Sequence, residues 1–565
     1  MHFEFHFKPK FFEAIKTYNK QKFFADLMSG VIVGIVALPL AIAFGIASGV
    51  TPQQGLITAI IGGFIISFLG GSSVQIGGPT GAFIVIVYAI IQQYGIQGLM
   101  IATLLAGIML VLMGVFRLGA VIKFIPYPVV VGFTSGIALT IFSTQIKDLF
   151  GLSITKLPAD FTEKWLAYFQ HFDSTNFWAL GIGLLSIVVI FNSGRIIKKI
   201  PGSLIAIVLM TVVAYLLHKY AGINAIETIG DRFTIEASLP KPQGFALSMD
   251  LITRLLPPAF TIALLGAIES LLSATVADGV TGDRHNANTE LIGQGVANII
   301  SPLFGGIPAT GAIARTMTNI NNGGRSPVAG IIHAIVLLLI LLFLGPLTKF
   351  IPMACLAGVL VVVAYNMSEW RTFKSMLRNP KSDVAVLITT FLLTVLFDLT
   401  IAIEIGLLLA MLLLLRRLSE TSTISMFKHD VPLSDADGQI IDEKLKLSKG
   451  VEVYEIEGPF FFGIASRFDE ITKIVGKKPK VRIIRMRKVP FIDSSGIHNL
   501  ENLIHLADTE GIQIILSGVN PTVHATLTKA GVNASLGDEF ICNHISLAVE
   551  KANEIIAKSE DLKTR

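Results

Sequence analysis

Two ionisable residues lie inside apolar segments of the chain, where a charged side chain is energetically unfavourable. Glu269 is near the middle of the apolar segment 253–277, and Arg315 lies in a second, shorter one, 309–321. A carboxylate in hydrocarbon is costly unless it is protonated or paired. Glu269 could take up a proton or bind Na⁺ and so couple ion movement to the movement of another solute. The alternative is a structural glutamate that is hydrogen-bonded to a half-helix. Arg315 can offset Glu269, face an anion, or reach the membrane interface by snorkelling.

Two short segments open with the same element, which is rich in glycine and proline. Thr80-Gly81-Ala82 follows Pro79, and its counterpart Thr310-Gly311-Ala312 follows Pro308. A half-helix that begins at mid-membrane leaves about four backbone N–H groups unpaired, and it carries roughly half a positive charge at that end. Two such helices pointing at one place should attract an anion. The alternative is that the glycines only allow close helix packing.

The composition predicts a membrane domain that positions these residues. The chain has 565 residues, of which 52% are hydrophobic and only 15% are charged, and the charges are sparse between about residues 24 and 418. A transmembrane helix needs about 20 apolar residues. Fourteen apolar segments meet or approach this length: 27–48, 54–70, 79–93, 98–116, 127–146, 176–193, 202–219, 253–277, 288–304, 309–321, 327–345, 352–367, 383–397 and 399–417. Two of them, 79–93 and 309–321, look too short to cross alone.

The chain contains an internal repeat. Leu118-Gly119 and Lys123 to Pro126 return 226 residues later as Leu344-Gly345 and Lys349 to Pro352. An offset that holds seven spans inserts the second copy upside down, and inverted repeats of this kind are typical of secondary transporters. We therefore expect an all-α membrane domain over residues 24–420, built from repeats at about 24–220 and 250–420. Short segments at matching positions of the two copies are expected to form the binding site.

Basic residues in short loops predict the orientation. Lys and Arg concentrate on the cytoplasmic side of membrane proteins. With the basic segment 1–23 inside, the inside loops hold Arg117, Lys123, Arg195, Lys198, Lys199, Arg284, Arg325, Arg371, Lys374, Arg378, Lys381, Arg416 and Arg417. Both termini are then cytoplasmic, and the short loops favour a bacterial inner membrane. The net charge of +5, without a basic stripe interleaved with aromatics, gives no indication of nucleic-acid binding.

A small α/β domain is predicted after a linker at 421–438, over residues 439–565. Strands are expected at 451–456, 481–486 and 512–516, and helices at 464–475, 495–509, 521–530 and 545–558. Asp493 and Ser495 lie in a loop between a strand region and a helix, where they would cap the helix or form a nucleotide-sensing or phosphorylation loop. The chain has no phosphate loop, nucleophile elbow or metal cluster, so neither an enzyme nor a cofactor is predicted.

Five stretches together resemble the sulfate permease family of anion transporters. They are Ala37–Gly49, Gly77–Ala82, Val280–Asn288, Gly305–Arg315 and Asp493–Gly496. The last is similar to the loop of a STAS (sulfate transporter and anti-sigma antagonist) domain, in which the serine corresponding to Ser495 is phosphorylated in anti-sigma antagonists. The resemblance covers nearly the whole chain.

The resemblance implies a seven-plus-seven inverted repeat with core and gate domains, an elevator-like movement of the core and a homodimer. It implies that the anion lies between the two half-helices, beside Phe44, Thr80, Gly81, Ala82, Gly311, Ala312 and Arg315. Glu269 and Ser273 then hold the coupling-ion positions. Members that resemble sodium–bicarbonate symporters carry Asp and Thr there, and a further Thr where this chain has Ile313. The missing hydroxyl favours H⁺ over Na⁺.

The leading hypothesis is ion-coupled uptake of sulfate or bicarbonate. A C4-dicarboxylate symporter is the nearest alternative, because the same cationic site would hold a carboxylate. A passive anion channel would conduct without coupling. An anion sensor would bind without flux and would signal through a cytoplasmic partner of the STAS-like domain.

Overall fold

The computed structural model describes residues 7–120, 125–155, 157–158, 160–196, 201–234, 238, 242, 244, 248–397, 399–434, 440–463 and 478–564. The chain divides into two compact units, Met1–Ala410 and Met411–Arg565. The α-helices that begin in the first unit are α1 (Lys10–Lys16), α2 (Lys20–Ala47), α3 (Pro52–Ile57), α4 (Gly63–Leu69), α5 (Ile84–Val115), α6 (Tyr127–Phe150), α7 (Phe161–Gln170), α8 (Phe177–Ile196), α9 (Gly202–Ala221), α10 (Ile229–Arg232), α11 (Met249–Thr281), α12 (Ala287–Ile300), α13 (Ile313–Asn321), α14 (Val328–Leu344), α15 (Met353–Met367), α16 (Trp370–Met376), α17 (Lys381–Leu396) and α18 (Leu399–Thr421).

The helices of the first unit pack in two groups. In one group α5 packs against α11 and α12, and α2 packs against α13 and α14. In the other, α6 packs against α15 and α17, and α8 packs against α9 and α15. Each group therefore combines helices from both halves of the chain.

Eight stretches in the described residues are long and apolar enough to cross a membrane, the longest being Gly81–Val115 and Met249–Thr281. One shorter apolar helix in the described residues, Phe177–Ser193, falls on the predicted segment 176–193. Helices α12 and α17 overlap the predicted segments 288–304 and 383–397. The predicted segments 79–93 and 98–116 correspond to two helical stretches of α5 that meet at a kink at Gly95, where the backbone is not helical (φ 67°, ψ −171°). The count of fourteen spans stays a prediction.

Both short segments are broken by extended backbone. Strand β1 (Gly77–Gly78) pairs antiparallel with β2 (Thr310–Gly311), so that the two halves of the chain meet at these residues. The first half-helix consequently begins later than expected, with a 3₁₀ turn at Gly81–Phe83, and the second begins at Ile313. Pro79 therefore precedes the helix, because strand pairing at Gly77–Gly78 is followed by extended backbone up to Thr80.

The second unit contains a five-stranded sheet with helices on it. Its strands run in the order β3 (Thr423–Phe427), β6 (Val451–Glu457), β7 (Val481–Lys488), β8 (Gln513–Ser517) and β9 (Ile541–Cys542). β3 is antiparallel to β6 and the other neighbours are parallel. A hairpin of β4 (Asp430–Ser434) and β5 (Ile440–Lys446) lies between β3 and β6 in sequence. The helices are α19 (Ser494–Thr509), α20 (Pro521–Ala530), α21 (Val532–Leu536) and α22 (Ile545–Thr564).

The side chains of β7 point alternately into two apolar cores, one on each face of the sheet. Ile484 and Met486 join a core with Leu500 of α19, whereas Val481 and Ile483 join a core with Ala548 of α22. The predicted strands and three of the predicted helices are confirmed. The predicted helix 464–475 lies outside the described residues, as do Lys123, Lys198 and Lys199.

The segment 421–438 is not a structureless linker. Thr423–Phe427 forms the edge strand β3, and Asp430–Ser434 forms β4. A short polar stretch after an apolar helix gives little periodic signal, so its conformation is decided by pairing with β6, about thirty residues away. Residues 435–439 are outside the described ranges.

Candidate functional site

The strand pair of Gly77–Gly78 with Thr310–Gly311 is the crossing of the two repeats. The guanidinium of Arg315 lies against this crossing. A Cβ atom on Gly78 would lie 2.3 Å from Nη1 of Arg315, and Gly78 has φ +151°, which a side chain rarely adopts. A Cβ on Gly311 would lie 2.0 Å from Nε2 of Gln75. Glycine at both positions therefore lets the strands, the arginine and the polar groups behind them approach closely.

Arg315 is fully buried and only partly satisfied. It is 1% exposed, and its Nη2 donates a hydrogen bond to the carbonyl oxygen of Pro79. Its Nε and Nη1 have no hydrogen-bond partner, and in the described residues no ion pair reaches the guanidinium. A buried cation with unused donors is costly unless a ligand or another polar group meets them. Burial of the side chain among protein atoms argues against the snorkelling alternative.

Glu269 of α11 lies next to the start of the first half-helix. Its Oε2 accepts a hydrogen bond of 2.7 Å from Oγ1 of Thr80, the residue that precedes the 3₁₀ turn. Glu269 is also close enough to Arg315 for an electrostatic interaction. The side chain remains partly accessible, whereas its neighbours along α11 are buried. One carboxylate and one guanidinium, from α11 and α13, thus border the same crossing.

Ser273 lies one turn beyond Glu269 and turns toward α13. It is buried, and its Oγ donates to Oγ1 of Thr316 at 3.3 Å. Thr316 in turn accepts from the backbone N–H of Ile76 at 3.1 Å. Ser273 therefore helps to hold the second half-helix against the strand that enters the crossing.

The remaining predicted binding residues are buried around the two half-helix starts. Phe44 of α2 and Ala82 belong to one apolar core, and Gly81, Gly311 and Ala312 are also buried. A Cβ on Gly81 would lie 2.7 Å from Sδ of Met367, at the end of α15. Gly81 thus marks a place where the two groups of helices approach each other.

A polar cluster behind the crossing was missed by the sequence reasoning. The buried carboxylate of Glu290, on α12, accepts hydrogen bonds from Gly71 N–H (2.8 Å), Gln75 Nε2 (2.8 Å), Ser270 Oγ (3.0 Å) and Gln294 Nε2 (2.8 Å). These donors come from both halves of the chain and fix the strand that leads into β1. The signal was present, since Glu290 is an acid inside the predicted segment 288–304.

In the second unit, Asp493 caps α19. Its Oδ1 accepts from the backbone N–H of Gly496 at 2.8 Å, and its Oδ2 accepts from Phe462 N–H at 3.3 Å. Ser495 lies in the first turn and is half-buried. The capping interpretation of Asp493 is therefore sufficient to explain its position.

Comparison with known proteins identifies the family. The model of the sulfate permease family matches residues 23–390, and the model of the STAS domain matches residues 444–552. "Putative sulfate transporter YvdB" of Bacillus subtilis is 43% identical, over 95% of this chain and 99% of its own length. The bicarbonate transporter BicA of a Picosynechococcus strain is 31% identical, over 89% and 90% respectively. The structure of murine solute carrier 26 family member A9, an anion transporter, superposes with a TM-score of 0.85 at 20% identity, over 97% of this chain and 94% of that one. This chain is an integral membrane protein that belongs to the sulfate permease family and carries a STAS domain in its second unit.

Proposed function

We propose that this protein is a secondary transporter of a small oxyanion, sulfate or bicarbonate, and that it binds the anion between its two half-helices. The unused Nε and Nη1 donors of the buried Arg315 carry the proposal. Planar guanidinium groups bind oxyanions through paired hydrogen bonds. The starts of the two half-helices add backbone N–H donors and partial positive charge at the same crossing. Relatives over most of the chain are named sulfate and bicarbonate transporters.

The binding residues in this proposal are those of the half-helix starts and of the facing helix. They are Phe44, Thr80, Gly81, Ala82, Gly311, Ala312 and Arg315. Most of them line the crossing with apolar or glycine surface, so Arg315 supplies the only full positive charge among them. A site of this kind holds an anion through one cation and several amides, which suits a small oxyanion.

Glu269 is proposed to carry the coupling ion, which is H⁺ rather than Na⁺. Its single hydrogen bond from Thr80 leaves capacity for a proton. Ser273 is engaged with Thr316, and Ile313 replaces a hydroxyl with a hydrocarbon side chain, so a Na⁺ ion would find few oxygen ligands there. Because Glu269 neighbours Arg315, protonation of the carboxylate would strengthen the field that the anion meets.

The proposed movement is a displacement of the α2, α5 and α11–α14 group relative to the group of α6, α8 and α15. The pairing of β1 with β2 supports it, since the halves of the binding site are joined and can move as one body. The absence of a side chain at Gly81 lets the two groups of helices pack closely at Met367, with no Cβ atom in the way of a sliding movement. The proposal includes cytoplasmic termini, a bacterial inner membrane and a homodimer.

Uptake into liposomes tests this function. The purified protein would be reconstituted, and accumulation of labelled sulfate, bicarbonate and succinate would be measured with a proton gradient, with a sodium gradient and with neither. Proton-driven accumulation of sulfate or bicarbonate is expected. Equal flux with and without gradients would favour a channel, preference for succinate would favour a dicarboxylate symporter, and binding without flux would favour a sensor.

A further inference from the structure

Lys164 is a second buried cation of the first unit, outside the proposed binding site. It lies on α7, an amphipathic helix in the loop between α6 and α8, and it is 1% exposed. In the part of the chain that the structure describes, its Nζ has neither a hydrogen bond nor an ion pair, and the Tyr88 ring centroid lies 5.9 Å away. A buried lysine without a partner is rare, so this position needs an explanation.

The side chain borders a cavity of about 650 Å³ between α5, α6, α7, α11, α17 and α18. The cavity begins at Ile84, immediately after the 3₁₀ turn of the proposed binding site, and passes Tyr88 and Gln92 along α5. Thr140 and Thr144 line it from α6. At 1.5 Å per helical residue, Tyr88 is roughly 10 Å along α5 from Gly81. Along α5 the cavity thus starts two residues after Ala82 and reaches α7, although the proposed binding residues themselves do not line it.

Other charged groups around the cavity do not cancel Lys164. Asp160 just before α7, Arg254 on α11 and Glu404 on α18 are exposed, and Arg254 is paired with Asp250 at 3.1 Å. Tyr88 and Tyr94 are the titratable residues that α5 contributes, while the residues lining the cavity from α6 and α17 are not titratable. Exposed charges are screened by water and salt much more than buried ones. Lys164 is therefore the only buried charged group among the described residues that line the cavity.

We propose that Lys164 is the anchor of a second anion-binding site, an outer site that holds the transported anion on its way to or from Arg315. The identity of the anion rests on the proposed function, and the placement of the site on the outer side rests on the predicted orientation. The side-chain amides of Gln92 and Gln93 give the site neutral donors, whereas the hydroxyl groups of Thr140, Thr144 and Tyr88 donate to backbone carbonyl oxygens. Small inorganic anions and carboxylates fit this chemistry, and a cation would be repelled.

The site should depend on pH. Burial lowers the pKa of Lys164 from its ordinary value to about 8, and nearby Asp160 opposes this shift. The ammonium is mostly charged at pH 7, and it loses its proton as the pH rises through 8. Anion retention in the cavity should therefore weaken between pH 7 and 9. Arginine at the same position would keep its charge over this range.

Iodide quenching of Trp165 tests the site without any transport. Trp165 is adjacent to Lys164, and the other two tryptophans, Trp178 and Trp370, would be replaced by Phe in the full-length chain. Quenching by iodide, divided by quenching by neutral acrylamide, reports the local anion concentration. At low ionic strength Lys164→Met should lower this ratio roughly three- to tenfold. Lys164→Arg should preserve it, and added sulfate should lower it in the lysine protein.

A matched control removes the same charge elsewhere. Lys219 is exposed near the end of α9, on the same side in the predicted orientation, and Lys219→Met should leave the quenching ratio unchanged. Equal ratios for the lysine protein and Lys164→Met would overturn the proposal. So would an equal decrease for Lys219→Met, because the effect would then come from general surface charge.

Sulfate uptake gives the second readout. The KM of the lysine protein should rise several-fold between external pH 7 and 9, whereas the KM of Lys164→Arg should stay constant and that of Lys164→Met should be high at both. Parallel pH profiles for all three would overturn the outer site. Absence of sulfate uptake with an intact iodide effect would contradict the proposed substrate and leave the outer site supported.

Discussion

Arg315 in the membrane unit and Arg485 in the STAS domain are both buried guanidinium groups, but their surroundings differ. Arg485 of β7 lies 3.5 Å from the carboxylate of Glu455 on β6 and donates to the Pro432 carbonyl oxygen at 3.0 Å. Arg315 has one backbone acceptor and two unused nitrogens. In the STAS domain the protein itself satisfies the buried charge. In the membrane unit two guanidinium nitrogens of Arg315 have no hydrogen-bond partner. Donors that remain available are the expected property of a binding group.

The largest effect should follow from breaking the satisfied pair. Arg485→Met leaves Glu455 buried without its cation, and removal of one partner of a buried pair costs about 3–5 kcal/mol. Hydrogen exchange of peptides from β6 and β7 in the full-length chain would measure the loss of local stability. Lys488→Met is the control on the same strand, because its pair with Glu457 is exposed and should contribute at most about 1 kcal/mol. A loss below that value for Arg485→Met would remove the contrast with Arg315.

Removal of the Arg315 charge should reduce transport and preserve stability, whereas removal of the Arg485 charge should reduce stability. Arg315→Met is expected to reduce anion uptake about a hundredfold, which corresponds to about 2–3 kcal/mol for hydrogen bonds to a charged group. Its thermal stability should be unchanged or higher, since an unpaired buried charge disappears. Uptake rates and melting temperatures of the same preparations would measure both.

Two outcomes would contradict this interpretation of Arg315. A marked loss of thermal stability would mean that the arginine is structural, as Arg485 is. Full uptake by Arg315→Met would move the anion to other donors. Arg315→Lys keeps the charge and loses the planar donor pair, so it should retain an intermediate rate.

Glu269 extends the comparison to the carboxylates. Glu455 has an arginine partner, whereas Glu269 has one hydrogen bond from Thr80. With a pH gradient of one unit and one proton per anion, accumulation can reach about tenfold, or about 1.4 kcal/mol. Glu269→Gln can keep the Thr80 hydrogen bond, but it should abolish accumulation, so that the internal anion concentration only equals the external one. The control Glu163→Gln, at an exposed position, should leave accumulation unchanged. Undiminished accumulation by Glu269→Gln would exclude the coupling role.

The smallest effects concern the cap of α19. Asp493→Ala should cost about 1 kcal/mol of STAS-domain stability, because the Gly496 N–H loses its acceptor. Ser495→Ala should change stability by less than about 0.5 kcal/mol. Hydrogen exchange of α19 peptides measures both. If Ser495→Ala altered uptake at unchanged stability, the loop would have a regulatory role as well as a structural one.

Much of the membrane unit could be predicted because its signals are local or repeated. Runs of apolar residues located the helices, and the repeated Thr-Gly-Ala element located the crossing at Gly77–Gly78 and Thr310–Gly311. The starts of the half-helices could not be predicted, since a strand pair between residues more than 200 positions apart determines them. The cluster at Glu290 likewise needs Gly71 and Gln75 from the other half of the chain.

In the STAS domain, alternation predicted β6, β7 and β8, which are buried strands with clear periodicity. The edge strand β3 was not found. Only one of its sides is paired, its residues are largely exposed, and its conformation depends on β6 rather than on its own pattern. Arg485 also gave no warning in sequence, because a charged residue in a strand is buried only when a partner such as Glu455 is aligned with it across the sheet.

The two repeats contribute unequal charge to the proposed binding site, and this has an electrical consequence. Val85 occupies the place in the first half-helix that Arg315 occupies in the second. The site therefore has one positive and one negative side chain, and its charge is zero while Glu269 is ionised. Under the proposed coupling and movement, entry of a proton with a monovalent anion keeps that sum at zero, so the loaded site would cross the membrane without work against the membrane potential. Sulfate with one proton leaves one net negative charge, which at 100 mV changes the transport energy by about 2.3 kcal/mol. Under the proposed coupling, membrane voltage would thus distinguish bicarbonate from sulfate even where the binding groups accept both.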